Sequence, residues 1–360
     1  MGDRGEYSAF APFHPGVNMR SDTAIAPHTS LPLPLSDGQP PAYAQAEERT
    51  FHFDGFTYHC RIVRHSSPVT PPMVLLGGSS QHRHAWVRHE KWLSAPGTLV
   101  TVDLPGYGAA DFLPARYGID FLAATVRHML TELGMPRVNL VGACFGGAIA
   151  LRFAQHYPGY VARLVLAGMT TTIPAYYSDA VPRWTSMLER GERTQTGIEL
   201  VERFVSPPTV GTVRKREVVS RLLYQQFMAQ SEDEVKRTVE HNVRLLRHEW
   251  YRPEPVAAVP SLVFTGEYDT LCTPAMGREV AGVLPAAAFT TIKESDHLVC
   301  LERMAEFCDL LVRFCTGHLL TGLSYCNPVE TLGSATCDPS PASDPVHHDG
   351  TRQLGRSSTA

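Results

Sequence analysis

No apolar run in this 360-residue chain approaches the roughly 20 residues needed to cross a bilayer, which argues against a membrane-spanning helix. Nor is there an excess of positive charge. Lys and Arg total 32 against 36 Asp and Glu, a net charge of −4, so the chain lacks the footprint of a nucleic-acid or anionic-membrane binder. The short basic stretch Arg214-Lys215-Arg216 reads as a solvated helix face. Eight cysteines are scattered without CxxC spacing, so neither a zinc ribbon nor a disulfide framework is expected; reduced thiols fit a cytoplasmic protein. Residues Met1 to Asn18 mix charges with prolines and have no continuous apolar core, so a secretory signal is not expected. Glu6 stands where a myristoylation pattern needs Ser or Thr. His82, His84 and His89 have no acidic or Cys partner at ligand spacing, so no metal is expected, and no motif calls for a cofactor. Internal repeats are absent.

What is present is an alternation. Residues 1–48 are rich in Pro, Ala and Ser and are expected to be a disordered extension; residues 316–360 are expected to be a disordered tail. Between them, Phe51 to Phe53 and Thr57 to Val63 read as a hairpin about Asp54-Gly55. Met73-Val74-Leu75-Leu76 and Thr98 to Val102 are short apolar runs stopped by Gly77-Gly78 and by Asp103-Leu104-Pro105-Gly106, the look of buried strands. Leu122, Val126, Met129, Leu130 and Leu133 recur at helical spacing behind Asp120 as cap, and stop at Gly134. Further strands are expected at Val138 to Val141, Leu164 to Leu166, Ser261 to Thr265 and Phe289 to Ile292. Helices are expected at Gly146 to His156, Pro274 to Val283 and Glu302 to Phe314. Strands alternating with helices predict an α/β fold, a mostly parallel sheet with helices on both faces, over residues 49–169 and 259–315. Residues 170–258 carry helical signals but no strand, and predict an inserted helical cap over the edge where such sheets bind ligands. Trp184, Met187, Phe204, Leu223 and Phe227 are its candidate pocket residues, with Ala229 as a position where added bulk would narrow the pocket.

The chemistry is concentrated at Gly142-Ala143-Cys144-Phe145-Gly146-Gly147, where a strand runs into glycines and then a helix. This is a nucleophile elbow, G-x-S-x-G, with Cys for Ser. The turn strains the nucleophile's backbone, so its neighbours two residues away must be nearly free of side chain. The helix N-terminus that follows favours negative charge at the turn. No serine in the chain has Gly both two before and two after it, so Cys144 is the candidate nucleophile. Asp269 and His297 follow in the order acid then base, each at the end of a strand. The His would take the thiol proton and the Asp would hold its tautomer. Glu267 and Asp296 are fallback acids. An oxyanion hole needs backbone N–H donors; Phe145 supplies one, and Ser79, after Gly77-Gly78, is the candidate for the second. The continuation Ser80-Gln81-His82-Arg83-His84 is a candidate contact for a substrate carboxylate or phosphate, or else a solvated loop.

These residues resemble the α/β-hydrolase superfamily over about residues 50–315. The matches are Gly77-Gly78, Asp103-x-Pro105-Gly106-x-Gly108, the elbow, Gly266-x-x-Asp269 and His297-x-x-x-x-Glu302. Two departures stand out: Gly-Gly replaces the usual His-Gly of the oxyanion loop, and Cys replaces the usual Ser. A Cys nucleophile is similar to those of dienelactone hydrolases and polyhydroxyalkanoate synthases. The layout of cap and C-terminal motifs resembles the acyltransferases that make hydroxyacyl-ester lipids, although those carry Ser at the elbow. The resemblance implies an enzyme acting on small-molecule esters or thioesters through a Cys-His-Asp triad and a thioester acyl-enzyme. An acyltransferase or ester synthase fed by acyl-CoA or an acyl carrier protein is the alternative, and a non-catalytic ligand-binding receptor is the remote one. A receptor is expected to lose the acid, the base or the elbow, and this chain keeps all three.

Overall fold

In the computed structural model, which describes residues 46–333, Asp54 and Gly55 both lie at positive φ, 49° and 82°. That is the two-residue turn matched to right-twisted strands, and it closes the expected hairpin between β1 (Glu47–Phe53) and β2 (Phe56–Val63). Of the extension expected over residues 1–48, residues 1–45 lie outside the described residues, as does the end of the expected tail, while Glu47 and Glu48 belong to β1. The apolar runs form β3 (Met73–Leu76), β4 (Leu99–Asp103), β5 (Val138–Ala143), β6 (Val161–Ala167), β7 (Ser261–Gly266) and β8 (Ala287–Ile292). These six pair in parallel in the order β4-β3-β5-β6-β7-β8, with the hairpin added antiparallel through β2.

The helices are α1 (Glu90–Leu93), α2 (Ile119–Glu132), α3 (Phe145–His156), α4 (Ala175–Ser178), α5 (Val181–Glu189), α6 (Arg193–Phe204), α7 (Arg216–Met228), α8 (Glu232–Arg247), α9 (Pro274–Gly282), α10 (Val299–Glu302) and α11 (Met304–Thr316). Side-chain alternation along each strand divides the core in two. Val74, Leu76, Leu140, Leu164 and Leu166 join the side chains of α2, α3 and α9 on one face. Met73, Leu75, Val141 and Val165 join Leu93 of α1 and Phe307, Leu310 and Leu311 of α11 on the other. Strands apolar on both faces, as these are, can sit only inside a two-sided helical cover.

Three expectations are corrected. The tail is ordered to residue 333: Tyr325 and Cys326 are buried, and β9 (Glu330–Leu332) pairs antiparallel with β8. A three-residue strand carries too little periodicity to be seen in sequence; here it covers an edge of β8 that would otherwise leave backbone groups unpaired. Asp120 does not cap α2, whose N-cap is Gly118; its carboxylate lies one residue inside and binds the Arg152 guanidinium. The helix expected from Glu302 to Phe314 is two, broken at Arg303.

Between β6 and β7 the chain forms α4 to α8 and, among the described residues, no strand. Ser231 and Glu234 make a reciprocal capping box at the start of α8, with acids in its first turn, so this helix is well specified locally. The helical segment is tied down on both sides of the sheet edge. Asp296, after β8, accepts the Ser206 N–H, while Glu240 of α8 accepts the Ala115 N–H at 2.6 Å.

Candidate active site

Cys144 sits between β5 and α3 at φ 51° and ψ −117°, a backbone conformation that costs a non-glycine residue about 1–3 kcal/mol. The flanking glycines make it possible. A Cβ on Gly142 would lie 2.4 Å from the Gly146 carbonyl oxygen, and one on Gly146 would lie 2.3 Å from that of Leu76. The loop after β3 therefore packs directly on the elbow, and Gly78 lies against it so closely that a Cβ there would come within 3.1 Å of the Cys144 Cβ.

His297 is buried on the loop after β8, and its Nδ1–H donates to Asp269 Oδ2 at 2.9 Å. Asp269 also accepts from Thr265 Oγ1–H at 2.7 Å, Leu271 N–H at 2.9 Å and Cys272 N–H at 2.7 Å. Four donors on one buried carboxylate fix its orientation and leave it little reason to rotate. Burial opposes charge on His297, but the facing Asp269 carboxylate and the nearby Cys144 outweigh it and raise the imidazole well above its usual range. The fallback acids are engaged elsewhere. Asp296 accepts the N–H groups of Ser206 and His297, and Glu267 accepts Glu294 N–H at 3.0 Å and Asn327 Nδ2–H at 3.2 Å.

At the turn after β3, expected to supply an oxyanion donor, the Gly78 N–H is taken by Gln81 Oε1 at 2.6 Å. Neither the Ser79 N–H nor the Phe145 N–H has a partner among the described residues. Ser79 and Cys144 line one pocket together with Thr170, Ile173, Tyr177, Phe204, Leu245 and Trp250, enclosing about 370 Å³ of empty space counted out to solvent. Of the cap residues singled out in sequence, only Phe204 lines it, and its ring lies 5.7 Å from that of His297. Trp184, Met187 and Phe227 are buried within the cap instead, and Ala229 is exposed, so bulk added there would not narrow this pocket.

The polar loop Ser80–His84 is engaged by carboxylates of the core and its hairpin. Arg83 pairs with Asp103 and Glu48, His84 Nε2 meets Glu48 at 3.0 Å, and the His82 side chain caps its own short turn. Asp103 also accepts Ala109 N–H at 3.0 Å, and a Cβ on Gly108 would collide with that carboxylate at 2.3 Å. The Asp103-to-Gly108 motif is thus a clamp for the loop after β3.

Sequence reasoning missed several neighbours. Cys272 shares the pocket with Cys144, and burial pushes its thiol up to about 12. Glu302, at the end of the His297 motif, accepts Asp296 N–H at 2.6 Å, and burial pushes its carboxyl up to about 8. Ser79 Oγ meets His241 of α8 at 2.6 Å. Only Glu302 had a signal, its spacing from His297.

Cys144 is the one partly exposed thiol among the described residues, while burial holds Cys60, Cys272, Cys300, Cys315 and Cys326 at about 12. At neutral pH such thiols are roughly one part in 100,000 thiolate, the reactive form. Iodoacetamide should therefore label Cys144 at least about 100-fold faster than these five, read by peptide mass spectrometry over time. Equal rates would contradict the placement of Cys144 as the accessible thiol.

The fold is that of one family. The family model described as the alpha/beta hydrolase fold matches residues 71–303, and the chain belongs to that family. A 2-hydroxy-6-oxononadienedioate/2-hydroxy-6-oxononatrienedioate hydrolase of Paraburkholderia phymatum is 25% identical over 260 residues, covering 67% of this chain and 86% of its own. A pimeloyl-[acyl-carrier protein] methyl ester esterase of Vibrio vulnificus is 24% identical over 251 residues, covering 68% and 94%. Among solved structures, an enol-lactonase from Burkholderia xenovorans superposes with a TM-score of 0.64 at 22% identity, over 74% of this chain and all (100%) of that one. The expected fold and the expected enzyme of this family are borne out. No helix of the described residues is long and apolar enough to cross a membrane.

Proposed function

We propose that this chain hydrolyses esters or thioesters of an apolar acyl group through a thioester acyl-enzyme on Cys144. The observation that carries the reading is the elbow cysteine, accessible from an apolar pocket and flanked by a histidine already oriented by a four-donor carboxylate. Asp269 favours the charged ring, so His297 holds the proton taken from Cys144; the resulting thiolate attacks the acyl carbon and the carbonyl becomes an oxyanion facing the free N–H groups of Ser79 and Phe145. Collapse expels the alcohol or thiol, which takes a proton from His297. Water, deprotonated by the same ring, then releases the acid and regenerates the thiol. The named activities of the relatives, a hydrolase and a methyl ester esterase, support ester chemistry.

Cysteine at the elbow also favours a second reading, acyl transfer. A thioester intermediate exchanges with a CoA or carrier-protein thioester at nearly balanced energy and remains reactive toward an alcohol acceptor. Intact-mass spectrometry after mixing with acyl-CoA or aryl esters should show one acyl adduct, absent in Cys144→Ala. Release to water alone supports hydrolysis; faster release on adding an alcohol supports transfer. An adduct surviving in Cys144→Ala would sink both.

The pocket lining predicts how chain length is read. Ile173→Trp should lower kcat/KM for long acyl donors at least about 10-fold relative to short ones, since each methylene in an apolar pocket is worth about 10-fold or more. A ratio unchanged by this substitution and by Leu245→Trp would remove this pocket from acyl binding.

A further inference from the structure

Ser79 Oγ and His241 Nε2 stand 2.6 Å apart, and the other ring nitrogen of His241, Nδ1, lies 2.8 Å from the Tyr107 hydroxyl. Near Tyr107 lies the Arg244 guanidinium, whose charge partly offsets the burial that raises the phenol. Tyr107, His241 and Arg244 are all buried, and α8 supplies both His241 and Arg244, one turn apart. Proton bookkeeping orders this chain. A buried phenol proton needs an acceptor. Among the described residues the Tyr107 proton has His241 Nδ1 as its acceptor. Nδ1 therefore carries no proton, Nε2 does, and Nε2–H donates to Ser79 Oγ. The Ser79 hydroxyl proton is then free to point away from the ring, into the pocket that Ser79 shares with Cys144.

We infer that Ser79 Oγ–H is a further catalytic donor to the acyl oxygen, held in that sense by a one-way relay from Tyr107 through His241. This rests on the Cys144 reading of the site and deepens it. The ring stays neutral, as the relay requires: burial and the Arg244 charge push His241 down to about 3, and burial pushes the Tyr107 phenol up to about 12. Arg244 faces no carboxylate within ion-pair reach among the described residues and donates instead to the carbonyls of Tyr117 at 2.9 Å and Leu113 at 2.6 Å. Its positive charge lies close to His241 and disfavours a second proton on that ring. The arrangement has the cap completing the oxyanion site, since His241 and Arg244 belong to α8 while Ser79 belongs to the core.

The test is kinetic, on p-nitrophenyl butyrate. Ser79→Ala should lower kcat about 100-fold with KM changed only a few-fold, as for loss of one oxyanion donor. Ser79→Thr, which keeps a hydroxyl, should recover most of that. Tyr107→Phe keeps the ring packed on Phe145, 5.9 Å away, but frees His241 to take the other tautomer and capture the Ser79 proton. It should therefore cost at least about 10-fold in kcat with Ser79 intact, and Ser79→Ala/Tyr107→Phe should be no worse than Ser79→Ala. An unchanged kcat in Ser79→Ala, or losses that multiply in the double variant, would overturn the relay. Iodoacetamide alkylation of Cys144 forms no oxyanion and separates the two readings. Its rate should be unchanged in Ser79→Ala; a parallel fall would mean that Ser79 supports the thiol itself and would overturn the donor role. Turnover persisting in Cys144→Ala bears on the nucleophile alone.

Discussion

Cys144→Ala is expected to lower ester turnover by at least about a thousand-fold, and Cys144→Ser to leave a weak residual rate. Removing the sulfur removes the atom that bonds to the acyl carbon, while the oxyanion donors and the pocket remain. What survives in the alanine variant is therefore the modest catalysis that positioning and oxyanion stabilisation give an attacking water. The serine variant keeps a nucleophile in the same strained turn, but its hydroxyl surrenders a proton far less readily than a thiol, and His297 is held charged by Asp269. A base already carrying its proton suits a sulfur partner and not an oxygen one. Both variants should fold, because the side chain is small and partly exposed. Steady-state rates on an aryl ester, with melting temperature as the folding control, measure the effect. Wild-type turnover in Cys144→Ala would refute the mechanism.

His297→Ala and Asp269→Ala should each cost about a hundred-fold or more in kcat, and the double variant should be little worse than the worse single one. The two act on a single proton path: Asp269 touches His297 through one 2.9 Å hydrogen bond, and it is His297 that handles the proton. Once the ring is gone, the carboxylate has nothing to orient, so its further loss costs little in rate. Stability behaves differently. Asp269 also holds Thr265, Leu271 and Cys272, so Asp269→Ala leaves buried donors unpaired, at about 1–3 kcal/mol each, and should lower the melting temperature more than His297→Ala does. Asp269→Asn can keep the Leu271 and Cys272 N–H contacts on its one oxygen but turns a donor toward His297 Nδ1, so it tests charge and tautomer together. Rate losses that multiply in the double variant would show that the two residues do not share a path.

The sequence by itself determined the parts whose cause is local. Val74 and Leu76 against Met73 and Leu75 write a two-sided strand in four letters, and Asp54-Gly55 writes its turn. Gly142 and Gly146 had to be glycine because backbone fills the space where a Cβ would stand. Asp269 and His297 were legible because each ends a strand of one parallel sheet, and parallel strands deliver their ends to one edge. Tertiary structure alone decided what depends on distant pieces meeting. It chose Asp269 over Glu267 and Asp296 by the direction in which each carboxylate leaves its loop. It paired Arg83 with Asp103, set His84 against Glu48, and gave β8 a three-residue partner from a segment with no period of its own. It kept Trp184 and Phe227 inside the cap and turned Ile173 and Phe204 toward the cysteine. It also set His241 beside Ser79, 162 positions away in the chain, a juxtaposition that no spacing on α8 could announce. Helical periodicity reports which face of a cap helix is covered; what covers it is fixed only when the cap meets the core.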